Sequence, residues 1–314
     1  MEYSSSDKSV KKTNLFIVGA AKAGTTSLYN YLNAHREVYM SPLKEPAFFS
    51  TDIKWSEFRE SYKRSMPFVI EDYLKQNPLP EHHAAYIKNI DDYSALFRDG
   101  NNETYYGEAS TAYLYSLTAA KEIYRYNPKA KIIILLREPV ERTLSHYFMD
   151  VSVGRQREND ILKALSKDYE DKPKGWGISN LYIDLSLYHD QIKRYLNVFP
   201  KDQVLILNFS DLKKNVKEIT SKTFEFLDLD PENVNAQDYD KTHNPTRVPK
   251  NRIVTSLLQY KNMVPRPLVK FLKKNSKMFF TDRSDTHISA EVKKYINDQV
   301  HEDWHRTRDI VESL

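Results

Sequence analysis

The turn that closes the first apolar run limits this chain more than any other stretch. Residues 13–18, Thr-Asn-Leu-Phe-Ile-Val, read as a buried strand that enters Gly19-Ala20-Ala21-Lys22-Ala23-Gly24-Thr25-Thr26-Ser27. Over Thr25–Asn33, Leu28, Tyr29 and Leu32 recur at helical spacing, and Thr25 or Thr26 is expected to cap the first turn. A strand, glycine loop and helix in that order aim backbone N–H groups and the positive end of a helix at one point. The expected occupant is a phosphate.

The loop differs from the nucleotide-hydrolase form, which needs a lysine directly after its second glycine and a hydroxyl beside it for Mg²⁺. Thr25 holds that position here, and the lysine is Lys22, inside the loop. That arrangement suits one cationic contact to a single phosphate better than a metal-bridged triphosphate.

Downstream, apolar runs alternate with helical periods. Strands are expected at 104–107, Lys131–Leu136 and Val204–Asn208, and helices at 117–126, 139–151, 181–199 and 211–227. That order predicts an α/β fold, a central parallel sheet flanked by helices. Residues 1–12 read as a flexible tail and 13–314 as a single domain. Its core spans 13–230, and a basic loop and C-terminal helical region, with a helix at 289–311, covers 240–314. Residues 50–102, polar, aromatic and broken by Pro67, Pro78 and Pro80, are expected to form short helices over the site.

Composition removes several chemistries. Without any cysteine, disulfide frameworks, iron–sulfur clusters, zinc ribbons and thiol nucleophiles are excluded. A formal charge of +4 is too mild to imply nucleic acid and comfortable for an anionic substrate. The longest apolar run, at 132–136, is far short of the ~20 residues of a membrane span, and no export signal opens the chain. The expectation is a cytoplasmic enzyme with no transmembrane segment.

The stretch from Val18 to Leu28 resembles the 5′-phosphosulfate loop, G-x-x-K-x-G-T-[ST]-x-L, of sulfotransferases that use 3′-phosphoadenosine 5′-phosphosulfate (PAPS). Leu135-Leu136-Arg137-Glu138-Pro139, followed by Ser145, is similar to that family's 3′-phosphate element, a strand ending in arginine and a proline-started helix carrying a serine. Lys44-Glu45-Pro46-Ala47-Phe48-Phe49 and Gly107-Glu108-Ala109-Ser110-Thr111-Ala112-Tyr113 resemble elements of its bacterial and glycosaminoglycan-modifying branches, although Ala109 stands where relatives often carry lysine and Ala112 also departs from their pattern.

The resemblance implies a P-loop-like sulfotransferase fold and transfer of a sulfuryl group from PAPS to an acceptor hydroxyl on a carbohydrate, lipid or small molecule. It casts Glu45 as general base and Lys22 as the cation at the leaving phosphate. The cofactor would be held by Lys22, Ala23, Gly24, Thr25, Thr26, Ser27, Arg137 and Ser145, with Arg247 and Lys250 as clamps from a late loop, and no metal is implied.

Other readings compete. Lys44 beside Glu45 offers an ordinary exposed ion pair, and Arg142 reads as an intrahelical partner of Glu138. His146 is a rival base whose place beside Ser145 suggests packing, and His82-His83 reads as a loop pair. His301-Glu302-Asp303-Trp304-His305 matches H-E-x-x-H, yet a catalytic zinc site needs a third ligand that the remaining nine residues do not supply in good geometry. The basic stretch 261–277 is either solvated or faces an anionic acceptor. The alternative functions are a divergent P-loop kinase or NTPase, and a catalytically inactive nucleotide-binding protein.

Overall fold

The computed structural model describes residues 12–234, 247–249, 280–282 and 287–314. In chain order, the first half holds strands β1 (Leu15–Gly19), β2 (Val38–Met40), β3 (Leu43–Lys44), β4 (His82–His83) and β5 (Tyr105–Ala109). Its helices are α1 (Thr25–Asn33), α2 (Glu60–Ser65), α3 (Ile70–Leu74), α4 (Ile90–Ala95), α5 (Ala112–Tyr115) and α6 (Ala119–Tyr126). Then come β6 (Lys131–Leu136), α7 (Pro139–Ser152), α8 (Ile161–Glu170), α9 (His189–Leu196), β7 (Val204–Asn208), α10 (Phe209–Lys214) and α11 (Val216–Phe226). The short strands β8 (Arg247–Pro249) and β9 (Phe280–Asp282) and a long helix α12 (Ala290–Glu312) complete the described elements.

Five strands form one parallel sheet in the order β2-β5-β1-β6-β7. Leu15 to Val18 and Ile132 to Leu135 are wholly buried, as continuous apolar runs covered on both faces must be. The expected α/β architecture is therefore present, with one strand, β2, that the sequence reading did not foresee. The chain leaves β1 toward one edge of the sheet and later crosses to the other side with β6. The residues just past the strand ends, in the loop after Gly19 and at Ser110 and Arg137, gather where the strand order switches, which is where open parallel sheets take ligands.

Two expected helices differ. The period at 181–199 is not one helix: Leu181 adopts φ 56°, a 3₁₀ turn covers Asp184–Ser186, and only His189–Leu196 is α-helical. Side chains satisfy this segment's backbone instead. The Asp168 carboxylate accepts the N–H groups of Asn180 (2.7 Å) and Tyr182 (2.9 Å), and Arg142 donates to the Tyr182 carbonyl. The period at 211–227 splits at Asn215, whose side chain accepts the Glu218 N–H at 3.2 Å and caps α11. Residues 50–102 do form short helices, α2 to α4, as expected.

Candidate active site

The glycine loop is held from three sides. The Ala20 N–H donates to the Leu135 carbonyl at 2.7 Å, and Arg137 donates from its guanidinium to the Lys22 carbonyl at 3.2 Å. The Phe209 ring lies against Gly24, where an added Cβ would come within 2.5 Å of it, and carries the Arg137 guanidinium 4.8 Å above its centre. Gly24 also adopts φ 92°, so no side chain fits at this turn.

The cap expected from Thr25 or Thr26 is absent: Gly24 is the N-cap, and no side chain bonds the first turn of α1. The helix start is left open to an outside acceptor. Lys22, at φ 68°, turns its ammonium to the thioether sulfur of Met149 at 3.2 Å, a weak acceptor. Burial, opposed by Asp150 and helped by Arg137, Arg155 and Arg142, pulls its pKa down to about 8. A cation in such surroundings, beside an uncapped helix start, fits a phosphate.

Arg137 also pairs with Glu141 at 3.3 Å. Ser145, on the inner side of α7, is 3% exposed. Strand β8, which begins at Arg247, lies beside α7, whereas Lys250 and the basic stretch 261–277 fall outside the described residues.

Glu45 follows β3 in a left-handed conformation, φ 59°, and Ala47 shares it at φ 52°. Strained backbone of this kind persists only where surroundings over-determine it. The Lys44 ammonium holds Glu45 Oε1 at 2.9 Å, and Oε2 accepts from the Thr111 N–H (2.7 Å) and hydroxyl (3.1 Å). The ion pair with Lys44 is therefore buried, not exposed as the simplest reading of the sequence had it. Burial raises the Glu45 pKa, but Lys44, His83 and these hydrogen bonds outweigh it and bring it below the ordinary glutamate value. The carboxylate stays ionised at neutral pH with room for one more donor.

Several residues were not legible in the sequence. His82-His83 forms a strand beside Leu43-Lys44, and His83 is electrostatically coupled to both Glu45 and Lys22. Arg155 meets Asp150 at 3.0 Å and lies 4.8 Å from the centre of the Tyr62 ring. A row of half-buried aromatics, Trp55, Tyr86 and Trp176, adjoins Glu45: the Ala85 N–H donates to the Glu45 carbonyl at 3.1 Å, and Trp176 donates to the Tyr86 hydroxyl at 2.7 Å.

Arg142 corrects another expectation. It is fully buried and does not pair with Glu138, whose side chain instead caps α7. Its guanidinium donates to Ser186 Oγ at 2.6 Å and to the Tyr182 carbonyl, and burial depresses its pKa to about 10. Arg142→Ala is expected to cost about 3 kcal/mol of stability, because the segment 181–186 loses donors it cannot replace from water. Urea denaturation measures this; a change under ~0.5 kcal/mol would contradict it.

His146 is buried, with burial and Arg142 holding its pKa well below the usual histidine value, and its ring meets the Tyr182 ring edge-on. It is a neutral packing residue. In the H-E-x-x-H segment, Asp303 and Trp304 turn inward onto His189 and Tyr188, while His301 and His305 are exposed and His305 meets Arg308 at 2.7 Å. Among the described residues no three carboxylate or imidazole groups are placed to hold a metal ion, and no helix is long and apolar enough to cross a membrane.

The sequence model of the sulfotransferase family matches residues 14–233. A solved sulfotransferase from Alicyclobacillus acidocaldarius is 32% identical with a TM-score of 0.60, covering 75% of this chain and 88% of its own. Mouse carbohydrate sulfotransferase 15 is 29% identical over 250 residues, 69% of this chain and 44% of that protein. Mouse heparan sulfate glucosamine 3-O-sulfotransferase 5 is 26% identical over 233 residues, 74% of this chain and 57% of that protein. The match thus spans about half the length of these two mammalian relatives.

Proposed function

The chain belongs to the sulfotransferase family, and from that premise we propose that it transfers a sulfuryl group from PAPS to an acceptor hydroxyl. The observation that carries this is the Lys22 ammonium, held against a thioether beside an uncapped helix start. Lys22, the backbone from Ala23 to Ser27, Arg137 and Ser145 would hold the nucleotide, with Arg247 and Lys250 at its far end. PAPS, when bound, supplies the sulfuryl group and a 5′-phosphate as leaving group.

The protein's own part is positional and electrostatic. Lys22 would neutralise charge on the leaving phosphate at the loop, and the N–H groups at the start of α1 would share that load. Glu45 would take the proton of the acceptor hydroxyl. Three donors keep Glu45 ionised, so it is ready at any pH above the glutamate range at the cost of lower proton affinity.

We infer a carbohydrate acceptor, supported by the names of the mammalian relatives and by the aromatic row Trp55, Tyr86 and Trp176. A bacterial-type enzyme is part of the same reading, supported by the identity with the Alicyclobacillus protein, and a cytoplasmic location and a single domain over 13–314 are proposed with it.

Thermal unfolding in EDTA tests the reading. The desulfated product 3′-phosphoadenosine 5′-phosphate, at a hundred times its Kd, is expected to add about 2.7 kcal/mol to the folded state without metal. Stabilisation by ATP with Mg²⁺ and not by the bisphosphate would overturn it in favour of a kinase or NTPase. Because the free Lys22 titrates near 8 and a bound phosphate raises its proton affinity, binding takes up a proton above that pH. The Kd measured by calorimetry is expected to be flat below pH 7.5 and to weaken up to about tenfold per unit above pH 8.

A further inference from the structure

Beneath the Glu45 segment lies a carboxyl group that the proposed chemistry does not use. Glu108, on β5, is wholly buried, and three hydroxyls donate to it. The hydroxyls of Tyr113 (2.6 Å) and Tyr93 (3.1 Å) donate to Oε1, and that of Ser110 (2.7 Å) donates to Oε2. Two of these hydroxyls in turn hold the segment after Glu45. Ser110 Oγ accepts the Ala47 N–H at 3.0 Å, and the Tyr113 hydroxyl accepts the Phe49 N–H at 3.3 Å. The next residue, Thr111, bonds the Glu45 carboxylate itself.

We propose that Glu108 is a positioning residue whose charge state seats the Glu45 segment, so that the site is assembled when Glu108 is ionised and loosened when it is protonated. This rests on the reading of Glu45 as the base. The argument is one of donor and acceptor counting. With Glu108 ionised, three hydroxyl protons have a carboxylate to point at, and the Ser110 and Tyr113 oxygens stay free to accept the two backbone N–H groups. A proton on Oε2 turns that oxygen into a donor toward Ser110 Oγ. The Ser110 proton, which had pointed at that oxygen, then needs another acceptor; turning to find one shifts Oγ, and its bond to the Ala47 N–H weakens.

Glu108 sits where this choice falls near neutrality. The titratable groups facing it are Tyr93 from α4, Tyr113 from α5, Tyr126 from α6, Tyr195 from α9, and Glu45 itself. Burial, resisted by the three hydroxyl bonds and helped by the Glu45 charge, pushes its pKa up to about 7. Glu45 is held below the ordinary glutamate value and His83 below the ordinary histidine value, so neither accounts for a transition at that pH. By reciprocity, an ionised Glu108 also raises the proton affinity of Glu45.

Backbone amide shifts of Ala47, Phe49 and Thr111, followed by NMR from pH 5.5 to 8.5 in the full chain, test this without any acceptor. In the wild type the three amides are expected to move together with a midpoint near 7. Glu108→Gln, neutral throughout, is expected to abolish that transition. Ser110→Ala keeps the carboxyl group and removes the link, so the Ala47 amide should stop titrating while the Phe49 amide continues through Tyr113. Amides that do not move in the wild type, or that titrate alike in Glu108→Gln, would overturn the proposal. So would an Ala47 amide that titrates normally in Ser110→Ala, the control if Glu108→Gln does not fold. Failure of 3′-phosphoadenosine 5′-phosphate to bind would remove the transferase reading and leave these titrations as they are, so the two failures are separable.

Discussion

Glu45→Gln is expected to lower kcat at least ~100-fold while leaving the Kd of 3′-phosphoadenosine 5′-phosphate within a factor of two of the wild type. The substitution is close to isosteric, and an amide can still accept from Thr111, so the segment keeps its seat. What it loses is the capacity to take a proton, and the Lys44 ammonium is left without its anionic partner. That second loss leaves a nearly buried cation uncompensated, so a stability cost accompanies the catalytic one. The two are separated by comparing turnover at a temperature where both proteins are folded. A variant that binds the bisphosphate and turns over at the wild-type rate would remove Glu45 from the chemistry and leave the carboxylate as the structural partner of Lys44.

Lys22→Ala is expected to reduce turnover by ~100-fold or more, since a developing negative charge at the loop loses the ammonium carried by the loop itself. Lys22→Met sharpens the test by keeping the side-chain volume against Met149. In the free protein this lysine is a burden: its folded pKa of about 8 lies below the usual value of 10.5. A group lowered in this way opposes folding fully at pH values below 8, and the penalty fades as pH rises from 8 to 10.5, where the unfolded chain holds the proton that the folded chain has released. Lys22→Met should therefore melt higher than the wild type at pH 7, with the gap closing toward pH 10, and should lose most of the stabilisation by bisphosphate. A variant that melts lower at pH 7 and keeps its ligand shift would contradict both roles.

What could be read from the sequence followed from locality. Leu15 to Val18 and Ile132 to Leu136 are apolar without interruption, and a strand buried on both faces writes itself that way. Gly24 was legible because a helix must begin directly after it, and Arg137 because it follows a strand end. The Glu108 network was not, since nothing in the local sequence shows that Ser110 and Tyr113 turn back onto Glu108 or that Tyr93 reaches it from α4. The helical period at 181–199 misled because apolar spacing reports which face is buried. It does not report that Asp168 and Arg142 reach in to take the backbone's hydrogen bonds. Asp150 and His146, four apart on α7, carried a hint of the buried polar cluster that includes Arg155.

The place of β5 between β1 and β2 bears on how the chain is made. Strands β1 and β2 leave the ribosome early, yet neither has its neighbour until residues 105–109 follow, and β1 waits further for residues 131–136. At about 5–20 residues per second the wait for β5 lasts on the order of 4–20 s, during which the run from Leu15 to Val18 has no sheet to join. A chaperone that holds the nascent amino-terminal segment through that wait should raise soluble yield.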